Sequence, residues 1–197
     1  MKTRESGMPE EEVWEGFFKP EAVLRSLGLR SEMRRVVEFG SGYGTFCLPA
    51  ARMIRGEVVG LDIEPELVHL CRQKAEQAGL SNARFECRDF VLEGTGLDDA
   101  TASLVMLFNI LHAEKPEILL QEARRILAPE GVLAVMHWNC HQKTPRGPSM
   151  AVRPNPEVCQ KWVLENGFEP ISPIISLPPW HYGFTAQTSE PDKAKNT

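Results

Sequence analysis

The chain contains few cysteines, and they are far apart. Five occur among its 197 residues, namely Cys47, Cys71, Cys87, Cys140 and Cys159, and no two form a Cys-x-x-Cys pair. An odd number of widely spaced cysteines argues against a disulfide framework and against a zinc ribbon. Such cysteine usage is typical of proteins from a reducing compartment.

Long apolar stretches are missing as well. No uncharged segment approaches the roughly 20 residues that a membrane-spanning helix needs. The N-terminal stretch MKTRESGMPEEEVWEGFF has no apolar core of the kind that a signal peptide carries. We therefore expect a cytoplasmic protein that has no membrane partner.

Positive charge is not in excess. The chain has 22 Lys and Arg against 27 Asp and Glu, which gives a net charge of −5. A chain of this balance lacks the positive field that attracts nucleic acid or an anionic membrane. Its basic pairs, Arg34-Arg35 and Arg124-Arg125, are surrounded by carboxylates and indicate solvated edges. Nucleic acid is therefore not expected as a partner.

The sequence does contain a regular alternation of short β-rich runs and helical segments. Strands are predicted over 36–39, 58–61, 83–87, 104–108 and 132–136, and helices over 65–79, 116–127 and 157–166. The longest of these helices opens with Pro65 and closes with Gly79. The alternation predicts a parallel sheet that is covered on both faces, in one domain over residues 34–187.

Both ends of the chain depart from this alternation. Residues 1–33 are predicted to form an N-terminal helical segment, with one or two short helices over 10–28. Residues 168–177 and 182–187 are predicted to be two antiparallel strands joined by a short turn. The polar residues 188–197 predict a disordered tail.

The most informative stretch is EFGSGYGT, in which Gly40, Gly42 and Gly44 fall on alternate positions. A glycine-rich turn between a first strand and a first helix lets the backbone approach a ligand at the carboxyl edge of the sheet. A dinucleotide fingerprint would place its third glycine where this chain has Thr45. That difference, and the absence of a Tyr-x-x-x-Lys pair, disfavour an NAD(P)-dependent oxidoreductase, which is one alternative.

This stretch resembles the first motif of class I S-adenosylmethionine (SAM)-dependent methyltransferases, in which an apolar strand and an acid precede Gly-x-Gly-x-Gly. The resemblance covers roughly residues 34 to 138. It implies an α/β fold, with a Rossmann-like, doubly wound, mostly parallel sheet of seven strands and an antiparallel C-terminal hairpin. It also implies SAM as the cofactor, with Glu38 favouring its ammonium group. The amino-acid portion of SAM would then enter the turn formed by Gly40, Ser41, Gly42 and Gly44.

Further segments follow in the order and spacing of that family. Asp62 ends the second strand, 22 residues after Gly40, and can accept both ribose hydroxyls of a nucleoside. The alternative is that Asp62 only caps the following helix. The resemblance implies adenine contacts for Asp89 and Phe90, although Asp89 could instead satisfy the amides of its own turn. Three further residues complete the predicted cofactor site: Ile63, Asn109 and Leu111.

The acceptor site is expected just past the fourth and fifth strands, where ligands of open α/β sheets bind. His112 is the best candidate for a general base there, and its alternative role is a pocket wall without proton chemistry. His137 and Trp138 are expected to line the same pocket. Phe17 and Phe18 are predicted either to form an aromatic lid or to pack in the core.

Two other features are weaker. His181, in the C-terminal hairpin, is a poorer candidate for a base than the histidine after the fourth strand. The proline-rich loop over 142–156 suits a flap over the acceptor site, where Arg146 or Arg153 could bind an anionic substrate. A plain solvated linker is the role that we expect for both arginines.

No metal is predicted. Residues 137–141 supply three soft ligands, but a closed zinc site needs a fourth and the sequence offers no second cluster. The ends of the fourth and fifth strands carry no carboxylate that would bind a hard cation.

The resemblance implies a SAM-dependent methyltransferase that transfers a methyl group to a small-molecule acceptor by in-line displacement. The segment Asn109-Ile110-Leu111-His112 lacks the Asn/Asp-Pro-Pro-aromatic pattern that is typical of nucleic-acid amine methylation. The chain looks most similar to the quinone-biosynthesis-type and small-molecule branch of the family. A non-catalytic SAM-binding regulator is the alternative, because the motifs concern the cofactor alone. The sequence leaves the oligomeric state open.

Overall fold

A computed structural model describes residues 10–189 of the protein. Within that range six α-helices, a short 3-10 helix at Met150–Val152 and eight strands follow one another. The helices are α1 (Glu11–Glu15), α2 (Pro20–Ser26), α3 (Cys47–Met53), α4 (Pro65–Gln77), α5 (Pro116–Ile126) and α6 (Pro156–Glu165). The strands are β1 (Arg35–Phe39), β2 (Glu57–Asp62), β3 (Ala83–Cys87), β4 (Ala102–Phe108), β5 (Leu127–Trp138), β6 (Phe168–Pro170), β7 (Ile175–Leu177) and β8 (His181–Thr188).

The strands of the described part form one sheet in the order β3-β2-β1-β4-β5-β8-β6, with β7 also paired to β8. The first five strands run parallel to their neighbours, whereas β8 is antiparallel to β5. The predicted doubly wound, mostly parallel sheet is therefore confirmed. The strand order reverses between β1 and β4, and ligands of open α/β sheets bind at the carboxyl ends of strands beside such a reversal.

The C-terminal strands differ from the predicted hairpin in one respect. The single strand predicted over 168–177 is divided into β6 and β7, which pair with different parts of one edge of β8. Pro170 and Pro173 have no N–H group for a continuous ladder. In the gap, the side-chain oxygen of Ser172 accepts a hydrogen bond from the amide of Thr185 (2.9 Å). The sheet therefore has eight strands in seven positions, where the prediction was seven strands.

The end of β8 lies beyond the predicted domain boundary. Thr188, which the sequence places in a disordered tail, pairs with Phe168. Residues 190–197 of that tail, and residues 1–9 of the predicted N-terminal segment, lie outside the described residues. The one or two helices predicted over 10–28 are α1 and α2.

The core has two layers, one on each face of the sheet. Successive side chains of a strand point to opposite faces. Val36 accordingly belongs to the layer formed with α2, α3 and α4, whereas Val37 belongs to the layer formed with α5 and α6. Because helices cover both faces, the loops at the strand ends are the places where the fold can present functional groups.

Gly60 in β2 leaves room for the ring of Phe85 and for Ser41, which lies in the turn after β1. A Cβ atom added to Gly60 would lie 2.6 Å from Cδ1 of Phe85 and 2.9 Å from Cβ of Ser41. We expect Gly60→Ala to lower the free energy of unfolding by about 1 to 3 kcal/mol, because overpacking forces neighbouring side chains to move. Urea denaturation measures the change.

Gly16→Ala is the matched control, since it adds the same atom at the C-cap of α1. The backbone of Gly16 has φ of −63°, and the added Cβ atom would lie 3.6 Å from the carbonyl oxygen of Val13. This substitution should change the free energy of unfolding by less than about 0.5 kcal/mol. Equal losses for the two substitutions would contradict the prediction.

Candidate cofactor and acceptor site

The glycine turn that follows β1 is held against the end of β2. The amides of Gly40 and Ser41 both donate to the carbonyl oxygen of Leu61, at 2.8 and 2.9 Å. Gly40, Gly42 and Gly44 have φ of 76°, 52° and 78°, a backbone region that residues other than glycine rarely adopt. The shape of the turn therefore requires the three glycines of the motif.

Side chains pack against one side of this turn. The thiol of Cys71 in α4 donates to the carbonyl oxygen of Gly42 (3.1 Å). A Cβ atom added to Gly44 would lie 3.0 Å from the side chain of Leu48 in α3 and 3.1 Å from Sγ of Cys71. The turn is thus fixed between β2, α3 and α4.

Asp62 connects the turn to the beginning of α4. Its Oδ2 atom accepts a hydrogen bond from the amide of Gly42 (2.8 Å), and its Oδ1 atom accepts one from the amide of Glu64 (3.1 Å). Burial raises the pKa of this carboxyl group above its usual range, and the two amides oppose that effect. The role at the start of α4 and the role predicted at the cofactor are compatible, because each carboxylate oxygen has a second lone pair.

Glu38 is buried in β1 just before the turn. Its side chain accepts a hydrogen bond from the thiol of Cys47 (2.9 Å). Burial raises the pKa of this carboxyl group to about 8, and the bond from Cys47 offsets only part of the effect. Burial thus favours the protonated form of Glu38, and a cation placed beside it would favour its charged form. This chemistry fits the ammonium group that the resemblance implies.

The segment after β3 is held by its own turn. Oδ1 of Asp89 accepts hydrogen bonds from the amides of Val91 and Leu92, at 3.2 and 3.1 Å, which is the alternative role that the sequence left open. Phe90 is half-buried, and its ring centroid lies 5.2 Å from that of Phe39 at the end of β1. Phe90 is therefore at the carboxyl edge, where the adenine contact was predicted.

The remaining predicted cofactor contacts differ in their exposure. Ile63 follows β2 directly and is half-buried. Leu111 is fully buried in the layer formed with α5 and α6. Its side chain is part of the core, so that only its backbone remains for the predicted contact.

Three polar side-chain atoms at this edge are buried and have no hydrogen-bond partner among the described residues: Oγ of Ser41, Oγ1 of Thr45 and Oδ1 of Asn109. Asn109, which follows β4, also has φ of 58°, an uncommon value for a residue other than glycine. An unpaired buried polar atom costs about 1 to 3 kcal/mol. These atoms therefore fit a polar ligand at the point where the strand order reverses. No sequence pattern had identified Thr45 as a member of the site.

Aromatic side chains of the N-terminal segment cover the end of β5. The ring centroids of Phe17 and Phe18 lie 5.6 and 6.1 Å from that of Trp138, the last residue of β5. Phe18 also lies 4.7 Å from the ring of His181, and Trp14 lies 6.2 Å from Trp138. The structure thus brings Phe17 and Phe18, which the sequence predicts as an aromatic lid or as core packing, together with Trp138, which it predicts in the acceptor pocket. We call the five side chains of Trp14, Phe17, Phe18, Trp138 and His181 the aromatic group.

An ion pair joins α1 to the glycine turn. The carboxylate of Glu11 in α1 pairs with the ammonium group of Lys74 in α4. The same ammonium group donates to the carbonyl oxygen of Tyr43 in the turn (3.3 Å) and lies 6.0 Å from the centre of its ring. Lys74 therefore connects α1, α4 and the turn at one point.

His112 and His137 form a pair that is separate from the aromatic group. Because side chains alternate along a strand, His137 points to the layer of α5 and α6, whereas Trp138 points to the N-terminal helices. Nδ1 of His112 lies 3.2 Å from Nε2 of His137, and Nδ1 of His137 lies 3.4 Å from the carbonyl oxygen of Trp138. The predicted pocket residues therefore form two groups.

The pKa values of His112, His137 and His181 are all lowered from the ordinary value of histidine. Burial lowers the pKa of His137 to about 3, with the neighbouring His112 as the next cause. Burial also lowers the pKa of His112, and the charge of Arg153 adds to this effect. The same two causes lower the pKa of His181 to about 3.

The solvated role predicted for Arg153 is wrong. Arg153 is 8% exposed, and its guanidinium group lies 5.5 Å from the ring centre of Trp138. It donates to the carbonyl oxygens of Asn139 (3.0 Å), Arg146 (3.1 Å) and Pro148 (2.9 Å). Arg153 therefore holds the loop after β5 against the aromatic group. A single arginine in a proline-rich loop has no pattern that would reveal this role.

Within residues 10–189, no group of three or more His, Cys, Asp or Glu side chains is placed to hold a metal ion. The same part of the chain has no helix with the length and apolar character needed to cross a membrane.

Comparison of the sequence with known proteins gives a matching family model and several related proteins. A family model described as a methyltransferase domain matches residues 30–171. The 23S rRNA (uracil(1939)-C(5))-methyltransferase RlmD of Stenotrophomonas maltophilia is 32% identical over 110 residues, which are 56% of this chain and 24% of that protein. The demethylmenaquinone methyltransferase of Thermus thermophilus is 30% identical over 113 residues, 57% of this chain and 50% of that protein. The chain thus spans about a quarter to a half of these relatives.

The fold is also that of a solved methyltransferase. The structure of a SAM-dependent methyltransferase from Aquifex aeolicus superposes with a TM-score of 0.79 at 22% identity, over 90% of this chain and 93% of that chain. At this identity the similarity shows the shared fold. The family match covers well over half of the chain, and the glycine turn, Glu38 and Asp62 occupy the motif positions. On these grounds the chain belongs to the SAM-dependent methyltransferase family.

Proposed function

We propose that the protein binds SAM at the carboxyl ends of β1 to β4 and transfers a methyl group to a small, largely apolar acceptor by in-line displacement. The observation that carries this proposal is the set of unpaired buried oxygens on Ser41, Thr45 and Asn109. A ligand with several polar atoms close together, such as the amino-acid end of SAM, would satisfy them. In-line displacement needs alignment and exclusion of water more than it needs a reactive side chain.

The residues around the turn suit the parts of SAM. Glu38 would pair with the ammonium group, and Asp62 would accept the ribose hydroxyls. Ile63 and Phe90 would cover the adenine ring. SAM supplies a methyl group bonded to a positively charged sulfur, and the task of the protein is to align the acceptor with that bond.

The aromatic group favours a flat, apolar acceptor. The ring of His181 lies against both Phe18 and Trp138, with centroid distances of 4.7 and 4.2 Å. Nε2 of His181 is buried and has no hydrogen-bond partner among the described residues. An acceptor with an aromatic body and one polar substituent would match these walls.

The charge distribution disfavours an RNA acceptor, although one relative is named as an rRNA methyltransferase. Many basic side chains lie within ion-pair distance of a carboxylate and so do not form a free phosphate track. These are Arg25, Arg30, Arg35, Lys74, Arg84, Arg125 and Lys161. The other relative is named for a small-molecule acceptor, demethylmenaquinone, which agrees with the proposal.

Ile63→Glu tests the cofactor site without removing the hydrogen bonds of Asp62. A carboxylate would replace an apolar surface proposed to face adenine, so the affinity for SAM should fall at least about tenfold. The melting temperature is measured with SAM, S-adenosylhomocysteine, NAD and NADP. SAM and S-adenosylhomocysteine should stabilise the wild type by ~2.7 kcal/mol at 100 times Kd, and the nicotinamide nucleotides should not.

Leu92→Glu is the matched control, because it introduces the same charge at a residue that is 68% exposed and outside the proposed contacts. It should keep the full response to SAM. A wild type that responds to NAD alone, or to no nucleotide, would refute the proposal. Binding of SAM without methyl transfer to any acceptor would favour the non-catalytic regulator.

Methyl transfer is tested with methyl-labelled SAM and two kinds of acceptor. The first kind is a set of hydroxylated aromatics (catechol, 2-naphthol and 1,4-dihydroxynaphthalene), and the second is ribosomal RNA. We expect label in the aromatic fraction only. Phe17→Ala should raise KM for the aromatic acceptor, because it removes an aromatic wall and leaves the glycine turn unchanged. Label in RNA would contradict the proposed acceptor class.

Glu38→Gln tests the buried carboxyl group. Its folded-state pKa of about 8 lies above the ordinary value of 4.5, so between these values the unfolded chain has lost a proton that the folded protein keeps. The wild type therefore loses stability as the pH rises from about 5 to about 8, and Glu38→Gln should lack this part of the loss.

Urea denaturation at the two pH values measures this difference. The stability of Glu38→Gln relative to the wild type should increase with pH. Glu76→Gln, at an exposed residue of α4, is the control and should show no such increase. A difference in unfolding free energy between Glu38→Gln and the wild type that does not depend on pH would contradict the raised pKa of Glu38.

A further inference from the structure

The paired histidines have a defined arrangement of protons. A carbonyl oxygen only accepts hydrogen bonds, so a hydrogen bond across the 3.4 Å between Nδ1 of His137 and the oxygen of Trp138 places the proton on that nitrogen. A neutral imidazole carries one proton, and Nε2 of His137 is therefore an acceptor. Nδ1 of His112, at 3.2 Å from it, must then be the donor. In this arrangement the lone pair of the His112 ring is on Nε2.

His112 lies in a segment that borders the proposed methyl site. His112 is half-buried, whereas His137 is fully buried. His112 lies three residues after Asn109, whose side-chain oxygen is buried and has no hydrogen-bond partner among the described residues. The same segment contacts the glycine turn, since a Cβ atom added to Gly40 would lie 3.3 Å from Ile110. Residues 109–112 therefore border both the turn and the histidine pair.

The surroundings of the pair keep His137 neutral. Burial is the main cause, and the charges of His112, of His181 in β8 and of Arg153 in the loop after β5 also oppose a positive charge on it. Tyr182 of β8 faces it, with a centroid distance of 6.3 Å. The carbonyl of Asn109 favours a charged His112. His112 is thus the member of the pair that can take up a proton.

Resting on the proposed function, we infer that Nε2 of His112 accepts a proton from a methyl acceptor that must lose one, such as a phenolic hydroxyl group, and that His137 is the positioning residue that leaves this nitrogen bare. As the acceptor oxygen bonds to the methyl carbon, the carbon–sulfur bond of the donor breaks and its electron pair stays on sulfur. The hydroxyl proton passes to Nε2 of His112. Water then removes it from the imidazolium.

A neutral positioning residue suits this task better than a carboxylate would. A carboxylate in the place of His137 would also fix the proton of His112 on Nδ1. Its negative charge, however, would raise the pKa of His112, and more of the base would be protonated at neutral pH. His137 orients His112 without that effect.

The tautomers are measured by nitrogen-15 NMR of ring-labelled histidine in the full chain. The chain has five histidines, and His112→Gln and His137→Gln assign the two signals. We expect the proton of both His112 and His137 on Nδ1. A proton on Nε2 of His112 in the wild type would overturn the inference.

Two substitutions of His137 separate positioning from packing. His137→Gln keeps an acceptor oxygen close to the place of Nε2, so His112 should keep its tautomer. His137→Phe keeps a ring but removes the acceptor, so His112 should shift towards the other tautomer. His69→Gln, at an exposed residue of α4, is the control. An unchanged tautomer of His112 in His137→Phe would overturn the positioning role. If His137→Phe does not fold, the tautomers of His112 in the wild type and in His137→Gln decide the question.

Methyl transfer to the best acceptor of the aromatic set gives a second readout. His112→Gln should lower kcat at least about 100-fold with little change in KM, whereas His137→Gln should lower it less than about tenfold. Undiminished transfer by His112→Gln would overturn the proton role. A wild type that neither responds to SAM nor transfers a methyl group would instead refute the proposed function, and the NMR spectra would still decide the arrangement of the pair.

Discussion

The hydrogen bond from the amide of Gly42 to Asp62 (2.8 Å) joins the loops that follow two neighbouring strands, and the candidate site depends on it. The turn contains three glycines with positive φ, and a backbone of this shape persists only where its surroundings hold it. Asp62 is buried, so water competes little for the bond. The same bond fixes the turn that contributes the unpaired oxygens of Ser41 and Thr45.

The two halves of the site are stabilised by different interactions. Backbone hydrogen bonds define the half beside β1 and β2, whereas ring packing defines the half beside β5. The ion pair between Glu11 and Lys74 connects them, because it ties the segment that carries Phe17 and Phe18 to the helix that follows Asp62. An acceptor that stacks on the ring of Trp138, the last residue of β5, would take the place of Phe17 or Phe18. Water exclusion and acceptor binding therefore involve the same side chains.

The sequence predicts those parts of the site whose chemistry is local. Positive φ demands glycine, and an acid at a strand end lies at the carboxyl edge, so the turn and Asp62 are recognisable without a structure. Strand alternation also implies that His137 and Trp138 face opposite sides, although their position after the fifth strand had predicted one pocket for both. The role of Arg153 is not predictable, because its partners are carbonyl oxygens, which every residue has. The contact between the two histidines depends on the pairing of β4 with β5 and has no signature in the sequence.

The end of β5 links ring packing to proton position. The side chain of Trp138 belongs to the aromatic group, while its carbonyl oxygen lies 3.4 Å from Nδ1 of His137, the contact from which we infer the tautomer. A displacement of this backbone would alter the proposed acceptor wall and the proposed base together. Arg153 limits such a displacement, since its guanidinium group bonds to the carbonyl oxygen of Asn139 (3.0 Å) and lies against the ring of Trp138. A buried arginine that supplies no reactive group thus holds the backbone on which both the aromatic group and the histidine pair depend.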